Sequence, residues 1–167
     1  MGSAADLNYS AEVEDIAFRL GQEIARLGHI TVYGAEKDYD SLSTAAARGA
    51  KSQGGITVGV TYGQGKEIWD KDSNTDVIIV TGIERGGGRE FVLVNSCDAI
   101  IAVSGGSGTL TEMAIAYQAN IPIVVMKGTG GWADKLSDSF IDNRERIKAQ
   151  SANNPKDAVE IALKSCT

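Results

Sequence analysis

The chain has 167 residues, 43% hydrophobic and 23% charged, a length for one compact domain and a balance that excludes wholesale disorder. Lysine and arginine total 16 against 22 acidic residues, and the net charge of −6 argues against a nucleic-acid partner. No apolar run reaches a membrane span, two cysteines are too few for a disulfide scaffold, and the first residues lack the basic start and apolar stretch of a signal peptide, so a cytoplasmic protein is expected.

Ser10 is a candidate N-cap for a helix running to about Leu27, with Val13, Ile16, Ala17, Leu20 and Ile24 on one face. Gly28 ends it, and Ile30–Tyr33 reads as a strand stopping at Gly34. Asp40 or Ser41 can cap a second helix over Leu42 to about Ser52, followed by a strand at Ile56–Thr61. Tyr62–Thr75 is polar and reads as a surface excursion. Val77–Val80 is continuously apolar, as in a strand covered by helices on both faces. After Gly86-Gly87-Gly88, the spacing predicts a helix over Arg89–Cys97, a strand at Ala99–Val103, a helix over Thr109–Ala119 and a strand at Ile121–Met126. Trp132–Asn143 reads as a helix, Lys148–Gln150 as a weak strand, and Pro155 opens a last amphipathic helix. This alternation predicts an α/β fold, a Rossmann-like open parallel sheet flanked by helices, as a single domain over residues 1–167. The buried first strand with which such folds open has no counterpart, because Leu7 and Tyr9 are the only sizeable apolar residues after Met1 and before Ser10.

The 20 glycines against 2 prolines point to loop chemistry, and one cluster carries a site. Ser104-Gly105-Gly106-Ser107-Gly108-Thr109-Leu110-Thr111-Glu112 follows a buried strand and opens a helix. Glycines there let backbone N–H groups approach a ligand, and the helix start adds unpaired donors and a positive dipole end. Together these make an anion cradle suited to a phosphate at the C-terminal end of a strand. The plainer alternative is a tight turn in which Glu112 offsets the dipole. The stretch is neither a Walker loop nor a dinucleotide G-x-G-x-x-G.

Gly105–Glu112 resembles the G-G-x-G-T-x-x-E signature of LOG-type proteins, which are cytokinin riboside 5′-monophosphate phosphoribohydrolases. Arg89 stands where the signature's partner arginine falls. Thr81-Gly82, the Arg89–Asp98 stretch and Ala45-Ala46-Ala47-Arg48-Gly49-Ala50 are closer still to molybdenum-cofactor-carrier-like proteins of the same Rossmann-like family. The resemblance implies Arg89 and Glu112 as catalytic residues, and Gly105, Gly106, Ser107, Gly108, Thr109 and Gly34 as ligand- or phosphate-binding residues. It implies a phosphorylated ligand such as a nucleoside 5′-monophosphate, a homodimer or higher oligomer, no required cofactor and no metal, with molybdenum cofactor as cargo in the alternative. Two classes of function therefore stay open. One is N-glycosidic hydrolysis; the other is a non-catalytic molybdenum-cofactor carrier or nucleotide sensor. The chain departs from the hydrolases in Ser104 for proline, in Glu90 for lysine, and in the second loop, Gly34–Asp40, which carries Glu36, Asp38 and Asp40. Family members open with a short apolar strand ending in Gly-Ser, so Gly2-Ser3 is expected to be such an ending, after a truncated start.

Other residues carry weaker signals. His29 follows a helix-ending glycine and reads as a surface residue, and Cys97 reads as a small buried hydrophobe. Trp69 and Trp132 read as packing residues, with Trp132 also able to border the cleft. The nearly all-apolar Arg89–Cys97 helix suits either the core or a subunit interface.

Overall fold

The computed structural model describes residues 1–4, 7–69, 72–84 and 86–166. Residues 70 and 71, inside the expected excursion, lie outside that set.

Parallel strands β1 (Thr31–Gly34), β2 (Thr57–Thr61) and β3 (Val77–Val80) form one half of the sheet in the order β1-β2-β3. Strands β4 (Ile100–Val103), β5 (Ile123–Met126), β6 (Ser139–Phe140) and β7 (Lys148–Ala152) form the other, in the order β4-β5-β7-β6. All pairings are parallel except that of β6 with β7. Between the halves, residues 1–4 make isolated bridges. Gly2 bridges Val103 in parallel and Ala4 bridges Ser41 in antiparallel fashion. The fold is therefore the expected Rossmann-like α/β domain, and the strand order reverses at the junction of β1 and β4. In open α/β sheets that reversal opens a crevice beyond the strand ends.

Helices α1 (Ala11–Arg26), α2 (Leu42–Ser52) and α6 (Pro155–Ser165) cover one face, where Leu20, Leu42, Val103, Val124, Met126 and Val159 share a core. Helices α3 (Arg89–Asn95), α4 (Ser107–Ala119) and α5 (Gly131–Lys135) cover the other, around Val94, Ile100, Met113, Ile123 and Val125. Successive residues of β5 divide between the two cores, because strand side chains alternate faces. Each layer of helices thus finds an apolar surface.

Ser41, not Asp40, caps α2, its Oγ accepting from the Thr44 amide at 3.0 Å. The Asp40 carboxylate instead accepts from Arg48, which also reaches Glu14 and so ties α1 to α2. Glycine is not confined to loops. Gly21 on α1 and Gly49 on α2 sit where a Cβ would overlap the facing backbone at Ala46 and Phe18, so these helices pack main chain against main chain.

Three sequence expectations are corrected. The helix expected over Trp132–Asn143 ends at Lys135. Asp138 takes the left-handed conformation (φ 54°) and its carboxylate accepts from the Ser151 amide and hydroxyl, which turns the chain into the β6–β7 pair. The apolar run Val77–Val80 is not covered on both faces. It forms an edge strand, and Val77 is 48% exposed, because hydropathy cannot distinguish a central strand from an edge. The weak strand at Lys148–Gln150 extends to Ala152, since β5 supplies its partners.

Candidate functional site

At the reversal point the end of β1 and the start of α4 border a cavity of about 580 Å³. Its walls come from residues 2–4, the segment after β1, Gly86–Phe91 and the start of α4. Arg89, Glu112, Gly34, Gly106, Ser107, Gly108 and Thr109 all line it, so residues spread over most of the chain converge on one space. The Gly86-Gly87-Gly88 run lines it too, with Gly88 in the left-handed region (φ 109°) as the N-cap of α3.

The glycine turn divides into two parts. In the first, the Ser104 amide donates to Thr129 Oγ1 and the Gly105 amide to Ser3 Oγ, both at 2.8 Å. The Gly105 carbonyl accepts from the Trp132 amide at 3.0 Å. That half is held by the protein itself, and Trp132 buttresses the turn from the opposite core without lining the cavity. In the second part, α4 starts at Ser107 with Gly106 as an N-cap that offers no side-chain bond, and no acidic residue stands in its first turn. The amides of Gly106, Ser107, Gly108 and Thr109 have no partner among the described residues, whereas Leu110 N already closes onto the Gly106 carbonyl. Four open donors at the positive end of a 13-residue helix form a surface with the chemistry to hold an anion. The hydrogen bond from the Gly105 amide to Ser3 Oγ has no signal in local sequence, because the two are 102 positions apart.

Arg89 sits at the base of the cavity, only 8% exposed. Its Nη1 donates to the Val60 carbonyl at 3.3 Å, and its Nη2 faces Glu36 and Glu90, each at 3.5 Å. The guanidinium also lies 5.8 Å from the centre of the Tyr62 ring. Its buried Nε has no partner among the described residues. The three loop carboxylates are thus tied differently: Glu36 to Arg89, Asp38 to the Tyr62 hydroxyl at 3.0 Å, and Asp40 to Arg48. Among the described residues no group of three or more histidines, cysteines, aspartates or glutamates is placed to hold a metal ion.

Glu112 is 6% exposed, and its carboxyl makes no hydrogen bond to any described residue. Burial pushes its pKa up to about 7, opposed by the positive charges of the Met1 ammonium and Arg89 and helped by Glu90 and Glu36. A carboxyl that changes charge near neutrality can give or take a proton at working pH.

Gly34 is fixed by Arg89. A Cβ at position 34 would stand 2.7 Å from Arg89 Nη1 and 3.2 Å from Cζ. Gly34→Ala is expected to displace the guanidinium and weaken binding of a phosphorylated ligand by roughly tenfold or more, the scale of one charge-assisted hydrogen bond. Titration calorimetry beside a thermal melt checks this; equal affinity in the variant would show that Arg89 need not hold this position.

Residues 1–159 match the SLOG cluster4 family. The chain belongs to that family. Among solved structures, TM1055 superposes with a TM-score of 0.85 at 27% identity, covering 98% of this chain and 96% of that one. The molybdenum cofactor carrier protein of Chlamydomonas reinhardtii gives 0.79 at 30% identity, covering 99% and 94%. A cytokinin riboside 5′-monophosphate phosphoribohydrolase of Mycobacterium tuberculosis is 28% identical over 93% of this chain and 88% of its own length. The LOG-type resemblance of the glycine turn, and the carrier-like resemblance of Thr81-Gly82, Arg89–Asp98 and Ala45–Ala50, are thus matched by likeness along nearly the whole chain of this SLOG member. No described helix is long and apolar enough to cross a membrane.

Proposed function

We propose that the cavity binds a small phosphorylated ligand of the nucleoside 5′-monophosphate type, its phosphate on the amides of Gly106–Thr109. Arg89, held against Gly34 in the cavity wall, sets its positive charge beside the ligand. In the same reading Glu112 serves N-glycosidic hydrolysis. Water forms a bond to the ribosyl carbon as the bond from that carbon to the base nitrogen breaks; the carboxylate takes the water proton and passes it to the leaving base nitrogen, which returns Glu112 to its starting form. Developing positive charge on the ribosyl carbon is stabilised by that carboxylate. The observation that carries this reading is Glu112 itself, a buried carboxyl without a hydrogen bond in the wall of a cavity whose other wall presents open amides. The likeness to the M. tuberculosis phosphoribohydrolase supports it.

The likeness to the C. reinhardtii carrier favours a second reading, binding without turnover, with molybdenum cofactor as cargo. Incubation with AMP, GMP, CMP and UMP, followed by chromatography for free base, separates the two. The hydrolase reading expects base release that falls at least about a hundredfold in Glu112→Gln, the scale of a lost proton-transfer group. Binding of nucleotide with no base released by the unaltered protein would leave the carrier or sensor reading. Failure to bind any phosphorylated ligand would overturn both.

A further inference from the structure

The open amides of Gly106–Thr109 give the site cavity one pole, and the wall beyond them has the opposite character. Glu90 at the start of α3 and Glu112 on α4 line the same space, on two helices that pack together. Neither carboxyl makes a hydrogen bond to a described residue. Glu112 is 6% exposed, and Glu90 has only the Arg89 Nη2 at 3.5 Å. That nitrogen stands equally far from Glu36, so one guanidinium answers two carboxylates before Glu112 is counted. Among the described lining residues Arg89 is the one cationic side chain, against Glu36, Glu90 and Glu112. The carboxyls also sense one another. Burial is the main reason the Glu112 pKa rises to about 7, and Glu90 and Glu36 add to the rise against the pull of the Met1 ammonium and Arg89. Beside Glu90, Phe91 lines the cavity with its ring against Gly88, where a Cβ would stand 3.4 Å from Cδ2, and it is 59% exposed. The Tyr62 ring already has Lys37 and Arg89 near it, at 5.6 and 5.8 Å, whereas no cation of the described residues lies over Phe91.

We propose that the occupant is dipolar: a nucleoside 5′-monophosphate whose base is a flat cation, quaternised at a ring nitrogen, with Glu90 and Glu112 facing its charge and Phe91 against its ring. This rests on the phosphate seat proposed above, and it holds with or without turnover. A phosphate brought in among carboxylates is repelled unless positive charge arrives with it. A neutral base would strip water from Glu90 and Glu112 and return nothing, which disfavours ordinary nucleotides, whereas a cation replaces that water with opposite charge. An exposed aromatic ring beside a carboxylate suits the same group, since the ring face attracts a cation and stacks on a planar one. Glu90 is thereby a specificity-determining residue. Under the hydrolase reading, the bond to such a base breaks to release it neutral, and the proton that Glu112 takes from water goes to solvent.

The test is titration calorimetry with two pairs of nucleotides matched in shape and different in charge. One pair is nicotinamide mononucleotide, a pyridinium cation, and its neutral 1,4-dihydro form; the other is 1-methyladenosine 5′-monophosphate, a cation near neutral pH, and AMP. Chromatography of each mixture checks that the nucleotide is intact. In at least one pair the cation is expected to bind at least about tenfold more tightly, the scale of one charge-assisted contact. Glu90→Gln and Phe91→Leu are each expected to reduce that preference about threefold or more. A thermal melt shows that Glu90→Gln is folded, and Phe91→Leu, at an exposed position, carries the comparison if it is not. Affinities within about twofold in both pairs, tighter binding of the neutral members, or a preference that neither variant reduces would overturn this inference and leave the phosphate seat standing. Failure of all four nucleotides to bind would overturn the phosphate seat, and this inference with it.

Discussion

Replacing Arg89 by alanine is expected to destabilise the protein by about 3 kcal/mol, the range for removing one member of a buried ion pair. In a domain of this size that lowers the melting temperature by roughly 6–12 °C. The cause is what is left behind. Glu36 and Glu90 both approach Nη2 and are themselves largely buried, with side chains 13% and 16% exposed. Without the guanidinium they face each other and Glu112 across the cavity, and the Val60 carbonyl keeps only the Ala35 amide of its two donors. Arg89→Ala combined with Glu36→Gln is expected to recover part of the loss, because one uncompensated charge is removed with its partner. Thermal melts of the two single variants and the double variant measure that coupling directly. Strict additivity would mean that Arg89 and Glu36 do not interact, and Arg89 would then be held by Glu90, Val60 and Tyr62.

Glu112→Gln is expected to change the pH dependence of stability. The folded protein holds this carboxyl at about 7, above its usual 4.5, chiefly because burial penalises the charged form. Between those two values the folded state binds more protons than the unfolded one, so stability falls as pH rises through this window. The contribution is fully present below pH 4.5 and lost by the time pH passes 7, with a span of about 3 kcal/mol. Glutamine stays neutral throughout. The variant should therefore match the parent near pH 4.5 and exceed it at pH 8. Denaturation at several pH values from 4.5 to 8.5 checks the difference, and parallel curves for the two proteins would show that Glu112 is solvated in the folded state. If the hydrolase reading holds, the variant gains stability at pH 8 as it loses turnover, a trade expected of a buried group kept for chemistry.

Most of the architecture could be read along the chain, because each element carries its own cue. Ser10, Ser41 and Pro155 mark helix starts, and the runs Ile100–Val103 and Ile123–Met126 are short, apolar and bounded as strands. The elements that were misread are those whose fate rests on a distant partner. Trp132–Asn143 has helical spacing, but Asp138 finds Ser151 and the chain turns. Val77–Val80 is apolar enough for the centre of a sheet, yet among the described residues no strand pairs beyond it.

The candidate site divides in the same way. Composition and local order of residues sufficed to single out the glycine turn as a helix start with open amides, because that needs only glycines and a missing cap, both written locally. Arg89 and Glu112 came from the spacing of a family motif, without any indication of what either touches. Which amides stay open was decided in three dimensions. Ser3 and Thr129 take the first two, leaving Gly106–Thr109. Folding also placed Glu36 and Glu90 against Arg89, pressed Gly34 onto the guanidinium and removed Glu112 from water. Charge, burial and close approach are properties of neighbours in space, and the chain order of residues 3, 34, 89 and 112 does not contain them.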